Sequence, residues 1–288
     1  MNSPEKKLDE LKKTLKGLGS VLVAFSGGVD SSFLLKVAKD VLDENVIAVT
    51  ADSQTYPSSE LKGAKKIARK LGVEHIVITT DELSNPEFVK NPINRCYLCK
   101  KELFSKFKNI AEERGVSYII EASNYDDLKD FRPGRKAIQE LGIKSPLLDV
   151  KLKKEEIRAL SKKAHLPTWN KSSYACLASR IPYGVKITPE KLKRIEKAEE
   201  FLKSLGLKQV RVRDYCARSS FSEGGGDMAR IEVSKKDMPL ILKEKIRTKI
   251  IEKLSKLGYH YITLDLEGYR TGSMNKTINQ KSKIKYQK

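Results

Sequence analysis

The run Ser26-Gly27-Gly28-Val29-Asp30-Ser31-Ser32 lies between a short apolar stretch, Ser20 to Phe25, and a helix-like stretch, Ser31 to Leu42. A strand that turns directly into a helix leaves backbone N–H groups unpaired at the helix start, where they can hold phosphate oxygens. Two glycines let the backbone come close, and the hydroxyls of Ser26, Ser31 and Ser32 add donors. Asp30 is the candidate ligand for a magnesium ion that neutralises phosphate charge. The lysine of a Walker A loop is missing, so this is a different phosphate grip. The competing reading is a plain strand-to-helix turn with a serine cap.

Two further segments end strand-like runs at the same sheet edge. In Thr50-Ala51-Asp52-Ser53, residues Ala51 and Ser53 are placed to meet adenine or ribose, against the alternative of a simple helix cap. Ser123 and Asn124 carry similar weight, with Arg132 and Arg135 behind them as clamps for phosphate or carboxylate, or else as surface salt-bridge partners.

The chain has four cysteines, too few for a disulfide scaffold and available for metal or sulfur chemistry in a reducing compartment. Cys96-Tyr97-Leu98-Cys99 puts two thiols on one side of a turn expected to precede a helix from Lys100 to Arg114. Zinc wants four ligands, and the three histidines, at 75, 165 and 260, offer none at ligand spacing. A three-cysteine site of Cys96, Cys99 and Cys176 with one open position suits an iron–sulfur cluster, whereas ordinary buried thiols are the alternative. Cys176 has Lys171 and Arg180 nearby in sequence, which would favour its thiolate as either nucleophile or ligand. Cys216, before a Ser/Gly-rich loop, reads as structural.

In Gln209-Val210-Arg211-Val212-Arg213, alternation sends the valines to one face and both arginines to the other. Paired with Ala229 to Val233, this strand would converge Arg211, Arg213 and Arg230 on one anion-binding surface. A charged solvent face is the competing view.

The elements that must position these residues alternate strand and helix from Ser20 to Ala122, the grammar of a doubly wound parallel α/β sheet. A polar stretch around Asn170 to Ser173 reads as a linker, and beyond it a smaller α+β domain follows. The expected division is 1–170, 171–275 and a frayed basic tail, 276–288. A hydrophobic share of 39% over 288 residues supports such cores. No window has the length of apolar residues for a membrane span, and no signal peptide pattern opens the chain, so a cytoplasmic protein is expected. The 57 Lys and Arg against 37 Asp and Glu give +20 and point to phosphorylated partners, or to a solvated lysine-rich surface. Aromatic residues are 7% with no aromatic–basic stripe, which argues against nucleic acid as a partner.

The loop resembles the SGGxDS pyrophosphatase loop (PP-loop) of enzymes that split ATP between the α and β phosphates. With Asn94 to Lys100, Asp127 to Arg135, Cys176 to Gly184 and Leu264 to Asn275, the chain is similar to the LarE family of sulfur transferases. That resemblance implies ATP and Mg2+, and a small-molecule nucleotide substrate, pyridinium-3,5-biscarboxylic acid mononucleotide, whose carboxylates are adenylated and converted to thiocarboxylates. It implies that a cysteine matching Cys176 gives up its sulfur, or that cysteines matching Cys96, Cys99 and Cys176 hold a 4Fe-4S cluster that passes on sulfide from a sulfur donor. Having all three, this chain is expected to take the cluster form. The resemblance also places Ser179, Arg180, Arg211 and Arg213 near the substrate phosphate or carboxylates, and implies a homo-oligomer. A tRNA-thiolating enzyme of the same superfamily is the runner-up, although no zinc-knuckle pair or RNA domain is present in the sequence.

Overall fold

The computed structural model describes residues 3–173, 175–215 and 226–278. Cys216 and most of the loop that follows it, and the tail from residue 279, lie outside the described residues. Seven strands form two sheets: β1 Val21–Ala24, β2 Val46–Asp52, β3 Glu74–Thr79 and β4 Tyr118–Ile120, then β5 Val210–Tyr215, β6 Met228–Val233 and β7 Tyr261–Leu264. The longer helices are α1 Pro4–Leu18, α2 Val29–Leu42, α3 Ser58–Leu71 and α5 Arg95–Glu113, with α4 Pro86–Val89 a single turn. They continue with α6 Gly134–Glu140, α7 Pro146–Asp149, α8 Lys154–Lys163, α9 Pro189–Ser204, α10 Met238–Ile241 and α11 Glu244–Lys256.

The first sheet is wholly parallel in the order β3-β2-β1-β4. Its strands read as continuous apolar runs because both faces are covered. Period-two alternation divides them: Val21, Val23, Val46 and Ala48 join the core under α1, α2, α3 and α8. Leu22, Ile47 and Val49 join the opposite core under α5 and α6. The chain steps outward from β1 to β3 and then returns to lay β4 on the other side of β1, so the winding reverses between β1 and β4. Ligands of open α/β sheets sit at that reversal, beyond the carboxyl ends of the strands. The loops after β1 and β4 are the Ser26–Ser32 run and Ser123-Asn124.

The second sheet pairs β5 antiparallel to β6 and β6 parallel to β7, over a core of α9 and α11. A further apolar cluster joins the two parts, packing Phe88 of α4 against Leu177, Ala178 and Ile181 and against Leu192 and Ile195 of α9. The expected loose linker is held at several points. Arg158 of α8 donates to the carbonyls of Trp169 and Lys171, and Arg211 of β5 donates to that of Ser173. At the other end, Lys276 and Thr277 complete a 3-10 turn and Ile278 is buried.

Candidate active site

Gly27 turns the chain from β1 into α2. Its φ is +66°, and a Cβ there would stand 2.9 Å from the Cα of Ala64 on α3, so position and conformation both demand glycine. The hydroxyls of the loop are tied to one another: Ser26 Oγ and Ser31 Oγ are 3.0 Å apart, and the Gly28 amide donates to Ser26 Oγ at 3.4 Å. Ser32 Oγ is buried and has no hydrogen-bond partner among the described residues.

Asp30, in the first turn of α2, accepts from Lys154 Nζ at 2.5 Å and from Asn124 Nδ2 at 3.5 Å, both through Oδ2. Its Oδ1 is buried without a hydrogen-bond partner among the described residues, as suits a carboxylate built to take a cation. Lys171 Nζ donates to the carbonyl of Gly27 at 3.0 Å and to Glu60 Oε2 at 2.9 Å, which holds the 169–173 segment against the loop. Lys154 has no role in the sequence reading, which considered Lys171 for Cys176 and not for the glycine loop. Both lysines lie more than a hundred residues from the loop they touch, and only the packing of α8 and the strap behind it brings them there.

At the end of β2 Ala51 is half-buried, and Ser53 is buried with its hydroxyl on Glu82 Oε2. Glu82 also accepts from Thr80 Oγ1 at 3.2 Å and from the thiol of Cys99 at 3.8 Å. At the end of β4 Ser123 Oγ donates to Glu121, while Asn124 caps the following turn. Arg132 is 43% exposed and pairs with Asp127 at 2.8 Å and Asp130 at 3.4 Å, the salt-bridge arrangement that the sequence had left open.

Cys96 and Cys99 do not precede a helix; they sit in the opening turns of α5, which starts five residues before the expected Lys100. Arg95 N donates to Pro92 O and Tyr97 N to Asn94 O, so the helix forms as soon as the chain is past the proline. Cys96 is exposed and Cys99 half-buried. Cys176 lies just beyond the 169–173 segment, and it packs with Cys99 against the apolar cluster that joins the two parts. Burial, then Glu82, Cys176 and Cys96, push the Cys99 thiol well above its ordinary value. Burial also raises Cys176, and Arg95 is the foremost cation that opposes this. Arg180, named from sequence, is paired to Glu199 and also feels the charge of Cys176, whereas Lys171 is engaged at Gly27 and Glu60. Tyr56 gathers the same neighbours: desolvation and then Cys99, Cys176, Glu82 and Cys96 raise its phenol. Among the described residues no set of three His, Cys, Asp or Glu side chains is arranged to hold a metal ion.

Arg180 is wholly buried and forms a two-point ion pair with Glu199, at 2.8 and 3.0 Å. Its Nη1 donates to the carbonyls of Ala175 and Cys176 and to Ser179 Oγ, so this arginine fixes the backbone that carries the thiol. Arg211 and Arg213 share a face as alternation required, yet that face is buried, not solvated. Arg213 bonds Glu232 and Ser273 Oγ and reaches the Ser179 carbonyl. Burial beside Arg180 lowers Arg211 to about 10. Arg230 pairs with Glu232 at 3.1 Å. Glu199 and Glu232, on α9 and β6, supplied no motif, and each is the carboxylate that makes a buried arginine tolerable.

Residues 9–94 match the asparagine synthase family, a match that contains the glycine loop. The chain is 40% identical to an uncharacterised protein of Synechocystis sp., over 96% of this chain and 99% of the relative. It is 31% identical to an uncharacterised protein of Methanocaldococcus jannaschii, over 92% of this chain and 98% of the relative. With the pyridinium-3,5-bisthiocarboxylic acid mononucleotide synthase of Lactiplantibacillus plantarum it shares 36% identity over 94% of each chain. A parallel sheet with the glycine loop at its reversal and near full-length likeness to that synthase together show that this chain belongs to the LarE family, an ATP-dependent enzyme family with the PP-loop fold.

Proposed function

We propose that the protein is a sulfur transferase that uses ATP to convert the two carboxylates of pyridinium-3,5-biscarboxylic acid mononucleotide to thiocarboxylates. The observation that carries this reading is the likeness to the named synthase across 94% of both chains, with Cys176 fixed in the joining cluster. A carboxylate oxygen of the substrate attacks the α-phosphorus, the bond to the bridging oxygen breaks, and diphosphate leaves with the electron pair. The Ser26–Ser32 loop, with Ala51, Ser53, Ser123, Asn124 and Arg132 around the sheet end, is assigned to the nucleotide. Asp30 would hold Mg2+, which supplies charge neutralisation on the phosphates. Sulfur then attacks the acyl carbon and AMP departs, giving the thiocarboxylate.

Cys176 is assigned as the sulfur centre. In the sacrificial route its Cα loses a proton and the Cβ–S bond breaks, leaving dehydroalanine and the transferred sulfur. A second reading, a 4Fe-4S cluster on Cys96, Cys99 and Cys176 that delivers sulfide, is supported by the way Cys96 and Cys176 both bear on Cys99. Among the described residues the thiols as placed do not form a metal-holding set. Ser179, Arg211 and Arg213 are assigned to substrate anions, and Arg180 to holding Cys176 in place.

Mass spectrometry after one turnover separates the routes. Loss of one hydrogen sulfide from the peptide containing Cys176 supports sacrifice. An intact Cys176 with iron and acid-labile sulfide in anaerobically purified protein supports the cluster. An intact cysteine without iron, and no thiocarboxylate formed, refutes both.

A further inference from the structure

A Walker A loop carries a lysine that meets the phosphates, and the Ser26–Ser32 loop has none. The fold returns one from 124 residues away. Lys154 is the first residue of α8, and its backbone amide is fixed to Asp126 Oδ2 at 2.9 Å, so the root of the side chain is held at the mouth of the loop. The side chain is partly exposed, at 29%, and its ammonium pairs with Oδ2 of Asp30. The other oxygen of that carboxylate is buried and lacks a hydrogen-bond partner among the described residues. Lys171 is different: a main-chain carbonyl and Glu60 hold it, contacts that a nucleotide would not need to displace.

We propose that Lys154 is a catalytic cation for the leaving diphosphate, and that it neutralises Asp30 until nucleotide and Mg2+ arrive. This rests on the adenylating reading above. In the absence of nucleotide the ammonium occupies the carboxylate that the metal needs. When Mg2+ takes Asp30, Lys154 turns about its fixed root to the β and γ phosphates, where it offsets the charge that builds as the α-phosphorus–oxygen bond breaks. Exchange costs little because each cation gains an anion as it gives one up.

The test is calorimetric binding of an α,β-methylene ATP analogue to the full chain, titrated with MgCl2, in wild type, K154M and K154R. The loss of one charge-assisted contact is expected to weaken binding by about 10- to 100-fold in K154M at saturating Mg2+. K154R should stay within a few-fold of wild type. Because Mg2+ no longer competes with an ammonium, its half-saturating concentration should fall by about fivefold or more in K154M. A merely structural lysine would lower thermal stability without moving that midpoint. Unchanged analogue affinity, or an unchanged Mg2+ midpoint, overturns the assignment; should K154M fold poorly, K154Q gives the same two readouts. A wild type that binds the analogue but releases no diphosphate from ATP would overturn the functional reading and leave the exchange between Lys154 and Mg2+ to be judged on binding alone.

Discussion

The glycine-loop end and the thiol end use charge in opposite ways. Around the glycine loop, Asp30, Lys154 and Lys171 are partly exposed, and one Asp30 oxygen lacks a hydrogen-bond partner among the described residues. Around Cys176, Arg180 and Glu199 are at most 2% exposed and paired to each other. A charge that must exchange partners during turnover stays near water, where rearrangement is cheap. A charge that holds a backbone in place is buried with its counterion, because breaking such a pair is costly. The difference teaches that the same residue types stand partly open to water at one end and serve as a buried frame at the other.

The sharpest way to break this comparison is at Gly27. G27A would impose a side chain where φ is +66° and push the loop off α3, displacing the phosphate donors. A shift of that kind lowers turnover by about 100-fold or more, read as diphosphate release with the fold intact by circular dichroism.

At the frame, R180M should cost about 3–5 kcal/mol in urea denaturation because it strands Glu199, and R180M/E199L should recover most of it. If R180M left stability unchanged and only weakened substrate binding, the framing role would be wrong. C176S separates the two ends functionally: thiocarboxylate formation should disappear while diphosphate release from ATP continues.

Acid sharpens the same point. Although burial alone would raise the Glu199 carboxyl, the adjoining Arg180, with its hydrogen bonds, and Arg211 hold it below the usual carboxylate range. A depressed folded-state value means the pair contributes fully above the ordinary glutamate pKa and is lost as pH falls through the depressed value. The stability gap between wild type and E199Q should therefore narrow below about pH 4. The smallest effect belongs to Arg132, an exposed pair at 43%. R132A should change stability by about 1 kcal/mol or less, and a loss of nucleotide affinity in that variant would establish it as a phosphate clamp.

Much of the site was legible where local pattern decides the outcome. The alternation of Val21 and Val23 against Leu22 fixes which core each strand residue joins. The strand over 210–215 was placed by the same rule. Local pattern could not say what a face would meet: Arg211 and Arg213 alternate like a solvent face, yet both are buried, Arg213 on Glu232 of β6 and Ser273, Arg211 on the carbonyls of Val210 and Ser173. Lys154, Arg95 and Glu82 were invisible for a related reason. Each is an ordinary charged residue until the fold sets it beside Asp30, Cys176 or Cys99. The start of α5 was missed because cysteine gives a weak helix signal and the helix begins directly after a proline turn.

The measurement that bears most directly on the central claim is the phosphate product made from Mg·ATP by the purified chain, with and without the pyridinium dicarboxylate mononucleotide. AMP and diphosphate in equal amounts, formed only with that substrate present, is the predicted result. ADP and orthophosphate, or nucleotide cleavage indifferent to the substrate, would contradict it.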